Sequence, residues 1–171
     1  MTLHDLACIA PDGFTRENAE TSIPKIAVSL GEITSKAGDN AVFGPLGLST
    51  IKYMLLHVLS KHMDCPTMTD LRKNLLRSPA NLTQLVDDLE EQGWIRRVPS
   101  PTDRRAKQIE LTDAGHAKVQ EAEEAMQSRM KAFFAGYTDD ELKSLMTLLT
   151  RFGNDLISVL GMDGIITYPE V

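Results

Sequence analysis

The chain has 171 residues, of which 42% are hydrophobic and 25% charged, and it carries a formal net charge of −6. That suits one domain, or one small module flanked by helices. No apolar run approaches the roughly 20 residues of a membrane span, Met1 to Asp12 lacks the basic start and long apolar core of a secretory signal, and two cysteines, Cys8 and Cys65, cannot build a disulfide framework; a cytoplasmic protein with no membrane partner is expected.

Residues 1–21 show no sustained period and include Pro11 and Gly13, so they read as an N-terminal arm. A first helix is predicted from Ser22, with Pro24 in its first turn. Its apolar stripe is Ile23, Ile26, Leu30, Ile33 and Ala37, and Gly38 closes it. After a loop over Phe43–Gly47, Ser49 or Thr50 caps a second helix with Ile51, Met54, Leu55, Val58 and Leu59 on one face. Residues 22–66 thus form supporting helices.

Residues 67–111 hold shorter, tightly spaced pieces. Thr67 and Asp70 resemble a capping box, opening a helix with Leu71 and Leu75. Ser78 followed by Pro79 is a second start signal. The helix behind it buries Leu82, Leu85, Val86 and Leu89 and stops at Gly93. Two short helices so joined have the spacing of a helix-turn-helix. The period then changes: Trp94–Val98 and Gln108–Leu111 read as strands, with a polar loop holding Pro99, Pro101 and Arg104-Arg105 between them. This is a β-hairpin with a basic tip, suited to the DNA minor groove.

Residues 112–161 are predicted as two long helices. Thr112 and Asp113 open the first, whose apolar positions include Val119, Ala122, Met126, Met130 and Phe133. Thr138 and Glu141 box the second, whose stripe is Leu142, Leu145, Leu149, Phe152, Leu156 and Val159. The methionines, Met54, Met126, Met130 and Met146 among them, sit at core spacing and read as packing. Residues 162–171 are a tail. The fold class is mainly α with a small β-wing.

Charge is uneven along this plan. Pro66–Lys107 holds eight basic and six acidic residues, a balance of +2 against −8 for the rest. A mildly basic middle between acidic flanks suits a DNA reader on an acidic scaffold.

The run from Leu71 through Gly115 resembles the DNA-binding lobe of the multiple-antibiotic-resistance regulator (MarR) family. Leu89-Glu90 with Gly93, the basic pair Arg96-Arg97, the Asp103-Arg104-Arg105 wing and the closing Leu111-Thr112-Asp113-Ala114-Gly115 together carry the likeness. In helix order it extends over about Ser22–Leu160. The resemblance implies a transcriptional regulator, not an enzyme, working as a homodimer whose N- and C-terminal helices interlock. It also implies double-stranded DNA as partner, with a pseudo-palindromic operator whose half-sites lie about one helical turn apart.

By that pattern Arg105 enters the minor groove, where A·T-rich sequence deepens the negative potential. Asp103 pairs with it, and Arg104 and Lys107 meet phosphates. On the recognition helix, Ser78, Ala80, Asn81, Thr83 and Gln84 occupy the exposed first turns, where Gln or Asn can pair with adenine. Gln84 and Asp88 depart from the family's frequent basic residues, and Asp88 facing DNA would repel phosphate. Tyr53 and His57 lie near the family's effector cleft, where a small phenolic or acidic effector is expected.

No cofactor or metal is expected. His57 and His62 are splayed by their five-residue spacing, which argues against a metal trio with Cys65. Cys8, among His4, Asp5 and apolar neighbours, lacks the electropositive setting of a reactive thiol. The alternative reading is a winged-helix module that binds protein, for which Asp87, Asp88, Glu90 and Glu91 give some footing. No catalytic triad, phosphate-binding glycine loop or His-Glu-x-x-His spacing points to an enzyme.

Overall fold

The structure, a computed structural model, describes residues 15–61, 63, 65–74, 79–101, 106–159 and 161. They fall into two compact units, one ending at Ile51 and the other beginning at Lys52.

In the first unit, α1 (Arg16–Gly38) starts ahead of the expected Ser22, because the Thr15 hydroxyl caps it by accepting the Asn18 N–H at 3.1 Å. Ser22 is buried inside the helix, and Pro24 also lies within it. Proline removes one intrahelical bond, and a 23-residue helix retains enough others to run through it. The α-helix ends at Gly38 as expected, but without a left-handed stop: the φ of Gly38 is −58°, and the chain winds on through a π turn (Asp39–Phe43) and a 3-10 turn (Gly44–Leu46). Gly38 also makes room, since a Cβ there would press on the Thr50 hydroxyl and the Phe43 ring. The hydroxyl of Thr50 donates to the carbonyl of Ser35, in α1, at 3.0 Å.

Helix α2 (Thr50–Lys61) begins in the first unit and continues into the second, which also holds α3 (Met68–Asn74) and α4 (Pro79–Glu91). There follow β1 (Ile95–Pro99), β2 (Lys107–Leu111), α5 (Asp113–Phe133) and α6 (Asp139–Val159). Leu56, Leu71, Leu82, Val86, Leu89, Ile95, Ile109, Val119 and Ala122 form the fully buried core of this unit. Each large member contributes about 1.5–3 kcal/mol by leaving water. All four residues predicted for the inner face of α4 are buried. On α2 the stripe is shifted: Tyr53 and Leu56 are buried while Met54 is 40% exposed. Adjacent faces of one apolar helix satisfy the same period, so packing partners choose between them.

Local chemistry sets the boundaries. The Thr67 N–H donates to Asp70 Oδ2 at 2.9 Å and the Asp70 N–H to Thr67 Oγ1 at 3.2 Å, which is the predicted capping box of α3. Helix α4 opens on Pro79 and ends in a Schellman turn, where Trp94 N–H reaches the Leu89 carbonyl (3.1 Å) and Gly93 N–H the Glu90 carbonyl (2.9 Å). Gly93 takes φ +73°, a conformation that costs side-chain-bearing residues about 1 kcal/mol. The strands pair antiparallel, Ile95 opposite Leu111 and Pro99 opposite Lys107. A third segment joins them: Thr67 bridges to Gln108, and Ile109 N–H donates to the Pro66 carbonyl at 2.8 Å.

Two long helices leave apolar surface uncovered in the single chain. Ile23, Val28, Leu30 and Ile33 of α1 are 36–66% exposed, and no residue of α6 is buried. Met130 and Met146 are exposed as well, not packed as their spacing suggested.

Candidate nucleic-acid interface

Helix α4 presents two faces of opposite character. Leu82, Leu85, Val86 and Leu89 face inward, while Asn81, Gln84, Asp87 and Glu91 are exposed and Thr83 and Asp88 half-buried. The inner face fixes the helix's rotation, so the polar set runs along the outer face, with Asn81, Thr83 and Gln84 in its N-terminal turns.

Three of the four acidic residues of this helix, Asp87, Asp88 and Glu90, are paired. Gln84 Nε2 donates to Asp88 Oδ1 at 2.8 Å, and Lys52 Nζ, from α2, lies 3.3 Å from Asp88 Oδ2. Gln84's hydrogen bond and then Lys52's hold the Asp88 carboxyl below the usual 3.8. The expected phosphate repulsion by Asp88 is therefore countered within the protein, since an ammonium sits on the same carboxylate. Asp87 and Glu90, one turn apart, both accept from the Arg97 guanidinium, and the Arg97 backbone N–H donates to Glu90 Oε1 at 3.0 Å. Burial opposes the charged guanidinium, but these bonds outweigh it and raise the Arg97 pKa. Arg97 thus clamps β1 to α4. Arg96, on the other face of the ribbon, pairs with the cross-strand Glu110 at 2.9 Å.

The stem of the hairpin is closed by Ser100, itself buried, whose N–H donates to the Ala106 carbonyl at 3.0 Å. Lys107 is exposed at the start of β2, beside the tip. Asp103, Arg104 and Arg105 lie outside the described residues, as does Ser78, and Ala80 lies in α4.

The two residues expected near an effector are engaged within the unit. Tyr53 is buried, its ring 5.6 Å from that of His57, and His57 Nδ1 stands 3.1 Å from Glu123 Oε1. Lys61 Nζ approaches the same carboxylate at 3.7 Å. A cavity of about 530 Å³ opens elsewhere, between the end of α2, β2 and the start of α5, with Lys61, Met63, Cys65, Glu110 and His116 in its wall. Cys65 has φ +48°, and its thiol donates to Glu110 Oε1 at 3.8 Å. Among the described residues no three His, Cys, Asp or Glu side chains converge as a metal site. Among them, too, no single helix is long and apolar enough to cross a membrane.

Sequence reasoning did not single out Lys52 or the clamp by Arg97. The i, i+4 spacing of Gln84 and Asp88, and the i, i+3 spacing of Asp87 and Glu90, were the available signals. Their basic partners come from other elements, so only folding reveals them.

The sequence pattern that defines the MarR family matches residues 46–106. The HTH-type transcriptional regulator PapX of Escherichia coli is 33% identical over 100 residues, which make up 58% of this chain and 61% of that protein. The chain therefore matches less than two thirds of that relative's length. A mutant MarR from E. coli complexed with operator DNA superposes with a TM-score of 0.68 at 22% identity, covering 81% of this chain and 99% of the other. The organohalide-sensing RdhR regulator in its 2,4-dichlorophenol-bound form gives 0.73 at 19% identity, covering 94% and 96%. These structures share the fold. With its helix-turn-helix, hairpin and flanking long helices, this chain shares the fold of these regulators, and its residues 46–106 match the MarR family's sequence pattern.

Proposed function

We propose that the chain is a dimeric, cytoplasmic transcriptional regulator that reads a pseudo-palindromic operator and leaves it when a small phenolic or acidic effector binds. The observation that carries this reading is α4: its apolar face is wholly buried, its first turns display Asn81 and Gln84, and its acidic residues Asp87, Asp88 and Glu90 are tied to basic groups of the protein itself. A helix so mounted fits a major groove, with Asn81, Thr83, Gln84, Ala80 and Ser78 toward bases and phosphates. The hairpin beside it carries Asp103, Arg104, Arg105 and Lys107, with Arg105 for the minor groove and its neighbours for phosphates.

In this reading residues 67–111 are the DNA-binding lobe, while 22–66 and 112–161 support and dimerise it. The exposed apolar positions of α1 and of α6 favour a second copy as their cover, because contiguous apolar surface on that scale is unusual for a monomer. An effector acts by binding the DNA-incompetent form better than the competent one. The likeness to a dichlorophenol-bound regulator supports a small aromatic ligand, and Tyr53 and His57 are the residues to test first. The pairing of Asp87, Asp88 and Glu90 within the protein favours this reading over the protein-binding alternative, which keeps Glu91 of its four acidic residues.

The test is a fluorescence-polarisation titration of the dimer with its own upstream intergenic DNA and with scrambled DNA. Wild type is expected to bind the former tightly and to weaken steeply with salt, and Arg105→Ala to lose that binding. Equal, weak binding to both DNAs by wild type and variant would reject the reading.

A further inference from the structure

Asp88 is an odd residue to find on a helix meant for DNA, and its two partners explain it. Its Oδ2 is held by Lys52 from α2 and its Oδ1 takes one N–H of the Gln84 amide. We propose that Asp88 is a positioning residue: pinned by Lys52, it fixes the orientation of the Gln84 amide so that Gln84 presents its carbonyl and remaining N–H as a pair to adenine at one position of each half-site. The inference rests on the DNA-binding reading above and names the base that reading leaves open.

The chemistry is geometric. A primary amide has two N–H donors, one on the same side as its carbonyl and one on the far side. Bidentate recognition of adenine uses the carbonyl, which accepts from N6, together with a donor to N7. An unrestrained glutamine presents either edge, because rotation about its last torsion exchanges oxygen and nitrogen at small cost. A carboxylate one helical turn further on accepts only, so it selects the nitrogen and turns the carbonyl away from itself. One donor is spent on Asp88, and the other remains beside the carbonyl to complete the adenine pair.

Lys52 supplies what the arrangement needs electrostatically. Without it, Asp88 would add an uncompensated negative charge beside the phosphates. With it, the carboxylate is anchored to α2, a supporting helix outside the recognition helix, and the amide is oriented before DNA arrives. The lowered Asp88 pKa agrees with this. Guanine, which offers two acceptors at the same edge, meets the outward carbonyl of Gln84 oxygen to oxygen.

The experiment is selection of binding sites from a randomised duplex library by the full-length protein, followed by titration of the selected site and its single-base variants. Wild type, Gln84→Ala and Asp88→Ala are compared, with melting curves to show that the variants are folded. Wild type is expected to prefer adenine over guanine at one position per half-site, and both variants to lose about tenfold of that preference. Asp88→Ala should lose the preference by binding the guanine variant of the site more tightly, because the freed Gln84 amide can turn its nitrogen outward, whereas a damaged fold would weaken every variant of the site alike. Placing 7-deazaadenine at that position should weaken wild type and leave Gln84→Ala unchanged. If wild type selects a site and Asp88→Ala keeps the full adenine preference, the positioning role is wrong while DNA binding stands. If wild type selects no sequence at all, both readings fall.

Discussion

Gly115, in the first turn of α5, lies against the backbone of Trp94 so closely that no side chain fits between them: a Cβ there would overlap the Trp94 carbonyl oxygen and come within 2.9 Å of Leu111 Cδ2. The contact belongs to a joint in which Thr112 N–H donates to the Trp94 carbonyl at 3.1 Å and the Thr112 hydroxyl to the Gly93 carbonyl at 2.7 Å. The same hydroxyl accepts from Gly115 N–H at 3.0 Å. One threonine and one glycine thereby dock the start of α5 onto the turn that ends the recognition helix, which ties the wing's two ends to one point.

Gly115→Ala should therefore cost about 2 kcal/mol, the usual range for forcing atoms into a packed site. Gly93→Ala should cost about 1 kcal/mol for a different reason, backbone conformation, and Gly93→Asn less. Urea denaturation of the three variants checks both. Wild-type stability in Gly115→Ala would mean the joint opens freely.

The Arg97 clamp should show coupling. Arg97→Ala and Glu90→Ala are each expected to destabilise, with an interaction energy of about 1 kcal/mol in a double-mutant cycle, held down by the partial exposure of the carboxylates. Additive effects would make the ion pair incidental.

At the start of α6, Thr138 N–H and hydroxyl both donate to Glu141 Oε2 at 2.8 Å. The backbone bond first, then the hydroxyl, hold the Glu141 carboxyl below its ordinary 4.5. A depressed carboxylate stabilises the fold fully above the ordinary value and loses that contribution as pH falls through the lower folded one. An NMR titration should find Glu141 below 4.5, and Thr138→Ala should move it back upward. An unchanged titration in the variant would remove the hydroxyl as a cause and leave the backbone bond alone.

The uncovered stripe on α6 gives a prediction about assembly. Leu149, 55% exposed in the single chain, should be buried in the dimer, so Leu149→Glu should yield monomers by light scattering and weaken operator binding sharply. A dimer of full strength in that variant would place the interface elsewhere.

Much of this architecture was legible in the residues themselves. The Thr67–Asp70 and Thr138–Glu141 boxes, the Pro79 start, the Gly93 stop, the buried face of α4 and the change to a two-residue period at the hairpin are local signals, carried by side chains within a turn of the backbone they satisfy. Periodicity was equally informative about α1 and α6, whose stripes proved too exposed to be a single chain's core. What sequence could not decide were relations between elements distant along the chain. Gly38 makes room for Thr50 and Phe43, and Tyr53 and Leu56 replace Met54 inside, because each outcome depends on which surface arrives opposite. The pairing of Asp88 with Lys52, and of Arg97 with Asp87 and Glu90, is of the same kind. A charge's partner is chosen by three-dimensional proximity, so three carboxylates of an acidic run that reads as hostile to DNA become, once folded, internal ties.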